Sequence, residues 1–166
     1  MLLATYALLT LRIEQKQART SIQHVQECLA QPAGCAQFDC AALAACSERL
    51  IRFAESQHQS RLDDVLCPAL RARSNEAGES LRRLEHLCRL GRKILPRMRR
   101  ALRPGVRLGQ RQIAGACVLV QAYCQNLLER LACEEDVLLP LAERLLSAEA
   151  WFSVGTEFLE QDAQRA

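Results

Sequence analysis

Two adjacent carboxylates interrupt an otherwise apolar helix face in the last third of this 166-residue chain. Between Arg111 and Trp151, apolar residues recur at alternating steps of about three and four, the period of one buried face of an α-helix. The next position on this face after Leu131 is Glu134, and Glu135 follows it. Because a buried carboxylate is costly unless a cation meets it, the sequence predicts a metal ion or a buried cationic side chain here. The apolar positions are Ile113, Cys117, Val120, Cys124, Leu127, Leu131 and Leu138.

The rest of the chain also favours helices. Arg, Ala, Leu, Gln and Glu dominate, Gly and aromatic residues are scarce, and β-branched runs are absent. Periodicity and breaker residues predict long helices over residues 5–30, 39–68, 76–102 and 108–139, with Pro68 a kink or end and Pro140 a kink. Ser147 should cap a short terminal helix that frays from residue 161. We therefore expect an all-α, up-down-up-down four-helix bundle, with residues 1–166 forming one domain.

The charge pattern argues against a nucleic-acid partner. The formal net charge is +3, and no aromatic residues interleave with the arginines of residues 92–103. We interpret that basic stretch as a solvated helix end, with a phosphate-binding patch as the alternative. No segment reaches the roughly 20 apolar residues of a membrane span, and the apolar start lacks the features of a signal peptide. The expectation is a cytoplasmic protein with no membrane partner.

Nine cysteines in a chain without an export signal predict free thiols rather than a disulfide framework. The number is odd and no CxxC pair occurs, so the spacing typical of zinc sites is missing. Cys117 and Cys124 lie on the apolar face of the fourth helix, where cysteine packs as a small hydrophobe. Structural thiols are thus the main interpretation. The alternative is redox sensing by Cys35, Cys40 and Cys46, which lie near a predicted loop.

The order of motifs resembles the hemerythrin-like (HHE cation-binding) domain family over nearly the whole chain. Residues 131–142, LACEEDVLLPLA, followed by Trp151, are similar to the family's C-terminal signature of His-Met-x-x-Glu-Glu, Leu-Phe-Pro-Leu-Ala and Trp. Leu84-Glu85-His86 resembles its Glu-His element, and residues 62–70 and 11–15 resemble its second and first helices. The resemblance implies a hemerythrin-like bundle, descended from proteins that hold a non-haem di-iron centre and handle or sense oxygen, related small molecules or iron.

Carried over residue by residue, the resemblance indicates a degenerate metal site. The family's histidines of the first, second and fourth helices fall on Gln15, Gln59 and Arg130. Since an arginine cannot serve as a metal ligand, we hypothesise that Arg130 replaces the lost metal charge and bridges Glu134 and Asp63. The alternative is an exposed pair of Arg130 with Glu134 at the i, i+4 spacing, worth about 0.3–0.5 kcal/mol.

Ligand-type residues persist at three of the family's positions. A reduced metal site formed by His86, Glu134 and Asp63 therefore stays open, with Glu14 or Glu135 as additional ligands. His58 lies beside the expected second-helix position. It would reach the centre only through a local bulge, because one residue of slip turns a helical side chain by about 100°.

Three functions are compatible with these sequence features. The first is a domain with a lost or reduced di-iron centre and a binding or regulatory role, with no resident cofactor. The second is an iron and oxygen-binding protein, mononuclear or di-iron, and the third is a cysteine-based redox sensor. No nucleophile–base pair or phosphate-binding Gly-rich loop is visible in the sequence, so we do not expect the protein to be an enzyme. The first function predicts a protein partner on an apolar patch around Trp151, Phe152 and Phe158.

Overall fold

Five helices form a bundle in this computed structural model, which describes residues 2–30, 38–73, 77–103 and 108–165. Helix α1 is Leu2–Leu29, α2 covers residues 40–71, α3 is Gly78–Ala101, α4 covers residues 110–145 and α5 is Ala148–Arg165. The described ranges contain no strand. The predicted all-α, hemerythrin-like helical bundle is therefore confirmed.

Local capping explains where two of the helices begin. The Asp39 carboxylate accepts the backbone N–H of Ala42 at 2.8 Å, which makes Asp39 the N-cap of α2. The Ser147 hydroxyl accepts the backbone N–H of Ala150 at 3.3 Å at the start of α5. Helix α5 is longer than the short, frayed helix that the sequence predicted. It continues to Arg165, because Asp162 near its end is held by Arg61 of α2 and Tyr6 of α1.

Three stretches of π-helix widen the second and fourth helices. They are Arg52–His58 and Leu62–Leu66 in α2, and Glu134–Leu138 in α4. The last two stretches end two residues before Pro68 and Pro140. Since proline has no N–H for the usual i→i−4 bond, a wider turn accommodates it with less disruption of the helix. Helix α2 accordingly continues past Pro68 to residue 71, and α4 continues past Pro140 to residue 145.

The apolar core is divided into two clusters by a layer of polar side chains. In each of α1 to α4, one end of the helix supplies residues to the first cluster and the other end supplies the second. We call the buried residues between them the polar layer. Each is less than 10% exposed, so each must find a partner inside the bundle. The members of the polar layer are Glu14, Gln15, His58, Gln59, Arg61, Arg130 and Glu134.

The expected apolar patch on the terminal helix is not formed. Trp151 and Phe158 are buried in the first core cluster, and Phe152 alone of the three aromatic residues is exposed. The helical period explains this, because residues 151, 154, 155 and 158 share the buried face of α5 and Phe152 lies off it. None of the described helices is both long and apolar enough to cross a bilayer.

Candidate functional site

His58 lies between two glutamates in the middle of the polar layer. Its Nδ1 is 3.1 Å from Glu14 of α1, and its Nε2 is 2.6 Å from Glu134 of α4. The amide of Gln15 also donates a hydrogen bond to Glu134, at 3.2 Å. Since both ring nitrogens face carboxylate oxygens, the imidazole donates to both when it is protonated.

This arrangement keeps His58 in its cationic form at neutral pH. Burial opposes the charge, but the charge of Glu134 and hydrogen bonds to Glu134 and Glu14 outweigh burial and raise the pKa of His58 to about 9. An imidazolium has no free lone pair. The proton that holds His58 in place therefore also prevents it from binding a metal.

Arg61 is a second buried cation, on the other side of Glu14. Its Nε lies 2.9 Å from Glu14 as a close ion pair without hydrogen-bond geometry, and Nη2 donates to Asp162. The guanidinium carbon is 4.9 Å from the centre of the Phe158 ring, within the range of a cation–π contact. Arg61 thus ties the polar layer to α5.

Arg130 is the third buried cation, and its guanidinium points into the bundle. The residue is fully buried, its Nη1 is 2.7 Å from Glu55, and its Nη2 donates to the Gln59 side chain at 2.5 Å. The Tyr123 hydroxyl donates to the same Glu55 oxygen at 2.8 Å. Glu55 is therefore held by two donors at the edge of the layer.

A glycine in α3 provides the space for these side chains. A Cβ atom on Gly91 would lie 2.6 Å from the Asn126 side-chain oxygen and 3.5 Å from Arg130 Nη1. The Asn126 amide in turn donates to the backbone oxygen of Leu87 at 3.0 Å, which joins α4 to α3. The missing side chain of Gly91 thus leaves space on α3 that side chains of α4 occupy.

The formal charges of this cluster balance. Three cations face three carboxylates, so the interior gains attraction without a net buried charge. Removing Arg130 would leave Glu55 without its cation, and removing His58 would leave Glu134 without one. The cations are Arg61, Arg130 and protonated His58, and the carboxylates are Glu14, Glu55 and Glu134.

The structure does not bring the three candidate metal ligands together. Glu134 is buried as expected, but His86 is exposed on α3 and Asp63 is exposed on α2. Asp63 accepts a hydrogen bond from Gln59 at 2.8 Å and lies 3.8 Å from Arg92. Because both residues fall on outward faces of their helices, the reduced site of His86, Glu134 and Asp63 is not formed.

The three positions that replace family histidines do point inward. Gln15, Gln59 and Arg130 all belong to the polar layer, as the resemblance implied. The expected partners of Arg130 were wrong, however. It pairs with Glu55 and Gln59 rather than bridging Glu134 and Asp63. Glu134 is instead neutralised by His58, whose ring takes the position next to it. Glu135, the other extra ligand considered, forms an exposed ion pair with Arg19 at 2.6 Å.

Sequence reasoning missed Arg61 and Glu55 and gave His58 a minor role. Glu55, His58 and Gln59 are spaced i, i+3 and i+4, so they lie on one side of the helix. The π-helix of Arg52–His58 provides the local bulge that His58 was expected to need in order to reach the centre. The signal was available in part. Pro68 marks the second wide turn of the same helix, and the stretch carries polar residues where an apolar face was expected.

The two predicted redox cysteines that the structure describes, Cys40 and Cys46, are not grouped as the sequence suggested. Cys35 lies outside the described residues. Cys46 contacts Cys28 of α1, with 3.9 Å between the sulfur atoms, rather than Cys40. Cys40 is close enough to Cys117 for its charge to add to the effect of burial in raising the pKa of the Cys117 thiol.

The donor set of the polar layer does not fit the family's metal centre. Glu134 Oε1 has no hydrogen-bond partner among the described residues, which is the feature that most favours a cation. Its other oxygen, however, already meets the ring of protonated His58 at 2.6 Å. The carboxylates of Glu14 and Glu134 also meet opposite ring nitrogens of His58 rather than one common point. In the described part of the chain, no three His, Cys, Asp or Glu side chains are arranged to hold a metal ion.

The comparison with known families agrees with the observed fold and with the resemblance of the sequence to the hemerythrin-like family. The sequence model of the hemerythrin HHE cation binding domain matches residues 8–142, which span α1 to most of α4. The chain therefore belongs to this family. No curated protein and no solved structure matches the chain.

Proposed function

We propose that this member of the hemerythrin HHE family is a metal-independent binding or regulatory domain, in which protein cations occupy the place of the family's metal charge. The observation that carries the proposal is the fully buried Arg130, bonded to Glu55 and Gln59 inside the bundle. A guanidinium stays charged at any physiological pH, and inside the bundle its charge repels a metal cation. The bundle then gains its central attraction without iron.

A thermal melt with and without metal tests the metal-independent part. A ligand that binds only the folded state raises Tm in proportion to the logarithm of its concentration over Kd. We expect the same Tm in chelator, in ferrous iron under anaerobic conditions and in manganese. A rise of several degrees at stoichiometric metal, reversed by chelator, would overturn the proposal.

A cavity between α2 and the end of α3 supports the binding role. Its volume is about 710 Å³, within the range of small-molecule sites, and alanine side chains, Ile51 and Met98 line much of it. Arg99 and Arg103 also line it, and Arg99 pairs with Glu48 at 3.3 Å. A further lining residue, Ser47, is 1% exposed, and its hydroxyl has no hydrogen-bond partner in the described ranges. An apolar ligand with one acidic group fits this combination best.

Decanoate, a ten-carbon carboxylate, is a suitable probe for the cavity. We expect calorimetry to detect its binding, and Ala44→Phe to abolish that binding because the ring fills the space. Ala122→Phe, at an exposed position of α4, is the matched control and should bind decanoate as the native chain does. Equal affinity of the native chain and Ala44→Phe would show that the probe binds elsewhere and would remove this support.

A further inference from the structure

The helical hairpin of α1 and α2 carries two thiols in contact. Cys28 lies near the end of α1 and Cys46 lies in α2, and their sulfur atoms are 3.9 Å apart. Both residues are half-buried, so small solutes can reach them. A disulfide bond requires about 2.05 Å between the sulfurs, so the two atoms must approach by about 1.9 Å for the bond to form.

The other described cysteines in the core are poor candidates for reaction. Burial raises the pKa of Cys67 to about 12, and that of Cys88 and Cys124 to about 11. A thiol reacts as the thiolate, so these residues stay protonated at neutral pH. Reactivity should therefore concentrate on the half-buried cysteines.

One of the two contacting thiols has a cationic neighbour. The Arg49 guanidinium lies one turn after Cys46 and donates to its sulfur with Nη2 at 3.1 Å. A guanidinium beside the sulfur is a geometry typical of reactive cysteines. Burial, followed by the hydrogen bond to Cys46 and the charge of Cys46, raises the pKa of Cys28. The cationic contact to Cys46 and the raised pKa of Cys28 make Cys46 the candidate nucleophile of the pair.

We propose that Cys28 and Cys46 form a peroxide-sensitive thiol pair that closes a reversible disulfide between α1 and α2. The proposal goes beyond the metal-independent binding role and does not depend on it. Its reactant is a hydroperoxide, the oxidant class that converts a thiolate to a sulfenic acid.

The reaction takes place in two balanced steps. The Cys46 thiolate attacks one peroxide oxygen, so that an S–O bond forms, the O–O bond breaks, and the alkoxide leaves and takes a proton as the alcohol. The Cys28 sulfur then attacks the Cys46 sulfur, the S–S bond forms, and the S–O bond breaks. The departing hydroxide takes the Cys28 proton as water. Two thiols lose two electrons, and the peroxide gains them.

Peptide mapping after mild oxidation tests the pair directly. The folded protein is treated with a small excess of hydrogen peroxide, alkylated and digested with chymotrypsin. Trypsin is unsuitable, because it leaves residues 20–49 as one peptide that contains four cysteines. Chymotrypsin separates them by cleaving after Leu29, Phe38 and Leu43. We expect a Cys28–Cys46 linked peptide, and a fall from nine to seven free thiols per chain that dithiothreitol reverses.

Variants assign the two roles. In Cys28→Ser, dimedone should trap a sulfenic acid on Cys46, whereas Cys46→Ser should give neither linkage nor trapping. Cys117→Ser, at another half-buried cysteine, should form the disulfide like the native chain. Arg49→Gln should slow the reaction about three- to tenfold, and Arg49→Lys should slow it less.

Two results would overturn the proposal. One is a native-chain map in which Cys46 is linked to a different cysteine. The other is a map in which Cys28 and Cys46 remain alkylated while other cysteines are oxidised. Both are read from the native chain, so they hold even if a serine variant fails to fold.

Discussion

His58 is the buried residue to which we assign the electrostatic role of a metal ion. Its protonated ring gives two carboxylates from different helices a shared cation, which is also what a bridging metal provides. The ring is 1% exposed, so water screens this attraction little. The stability of the bundle should consequently depend on the protonation of this residue.

The free energy of unfolding should fall as pH rises through the alkaline range. The pKa of His58 is about 9 in the folded chain and 6.5 for an ordinary histidine, so the unfolded chain releases this proton first. The stabilisation is complete below about pH 6.5 and is lost as pH rises to about 9, a loss of about 3 kcal/mol.

Urea unfolding between pH 6 and 9.5 measures this slope. His58→Gln should flatten the profile, and the exposed His86→Gln is the matched control that should leave it unchanged. A native profile as flat as that of His58→Gln would show that the buried ring is not a cation.

Arg130 should be among the most costly residues to replace. Arg130→Met leaves Glu55 without its cation in a nearly dry site, and we expect a loss of about 3 kcal/mol in urea unfolding. Arg12→Met is the matched control, because Arg12 and Glu143 form an exposed pair at 3.1 Å. Its effect should stay below about 0.5 kcal/mol. Equal effects of the two substitutions would contradict a structural role for the buried pair.

The sequence indicated the polar layer better than it indicated its partners. The carboxylate of Glu134 on an apolar face required a cation, and the unusual residues Gln15, Gln59 and Arg130 were correctly placed inside. The pairing was not predictable, because it depends on which side chains share a level of the bundle. A shift of one residue in α2 decides whether His58 or Gln59 lies next to Glu134.

At the scale of helices, two glycines set how closely neighbours approach. Gly91 lets α4 side chains fit against α3, and Gly155 brings α5 against the start of α1. A Cβ atom on Gly155 would lie 2.7 Å from the backbone oxygen of Leu3, which cannot move aside as a flexible side chain could. Helix α5 can therefore cover the first core cluster only if residue 155 has no side chain.

Gly155→Ala should destabilise the bundle even though alanine favours helices. We expect a loss of about 2 kcal/mol, since the clash forces α5 away from α1. Gly115→Ala in α4 is the matched control, because nothing lies within 4 Å of the added methyl. It should raise stability by up to about 1 kcal/mol. Calorimetric Tm values measure both, and a stabilising Gly155→Ala would contradict the close contact.

Periodicity predicted the helices but not the irregularities within them. Proline at positions 68 and 140 was expected to kink or end a helix, because proline cannot donate the i→i−4 bond. Both helices instead widen ahead of the proline and continue. The expected end of α5 was also too early, since Asp162 gains partners in α1 and α2 that are distant in sequence.

At the scale of the whole molecule, two apolar clusters enclose a layer whose charges cancel. The resemblance to the family predicted the bundle correctly, and the match to the family model agrees with it. All four long helices supply apolar residues to the two core clusters. The same layer holds four of the six positions to which the resemblance assigns metal ligands, namely Gln15, Gln59, Arg130 and Glu134. We infer that the family's architecture has been kept while protein cations supply its central charge.

The most direct test of this inference is the number of iron ions bound per chain. The untagged protein is loaded anaerobically with ferrous iron, exposed to air and desalted, and its iron content and visible spectrum are recorded. Since Arg130 and protonated His58 already neutralise the buried carboxylates, the account predicts no bound iron and no visible absorption band. About one or two irons per chain, with an absorption band, would contradict it.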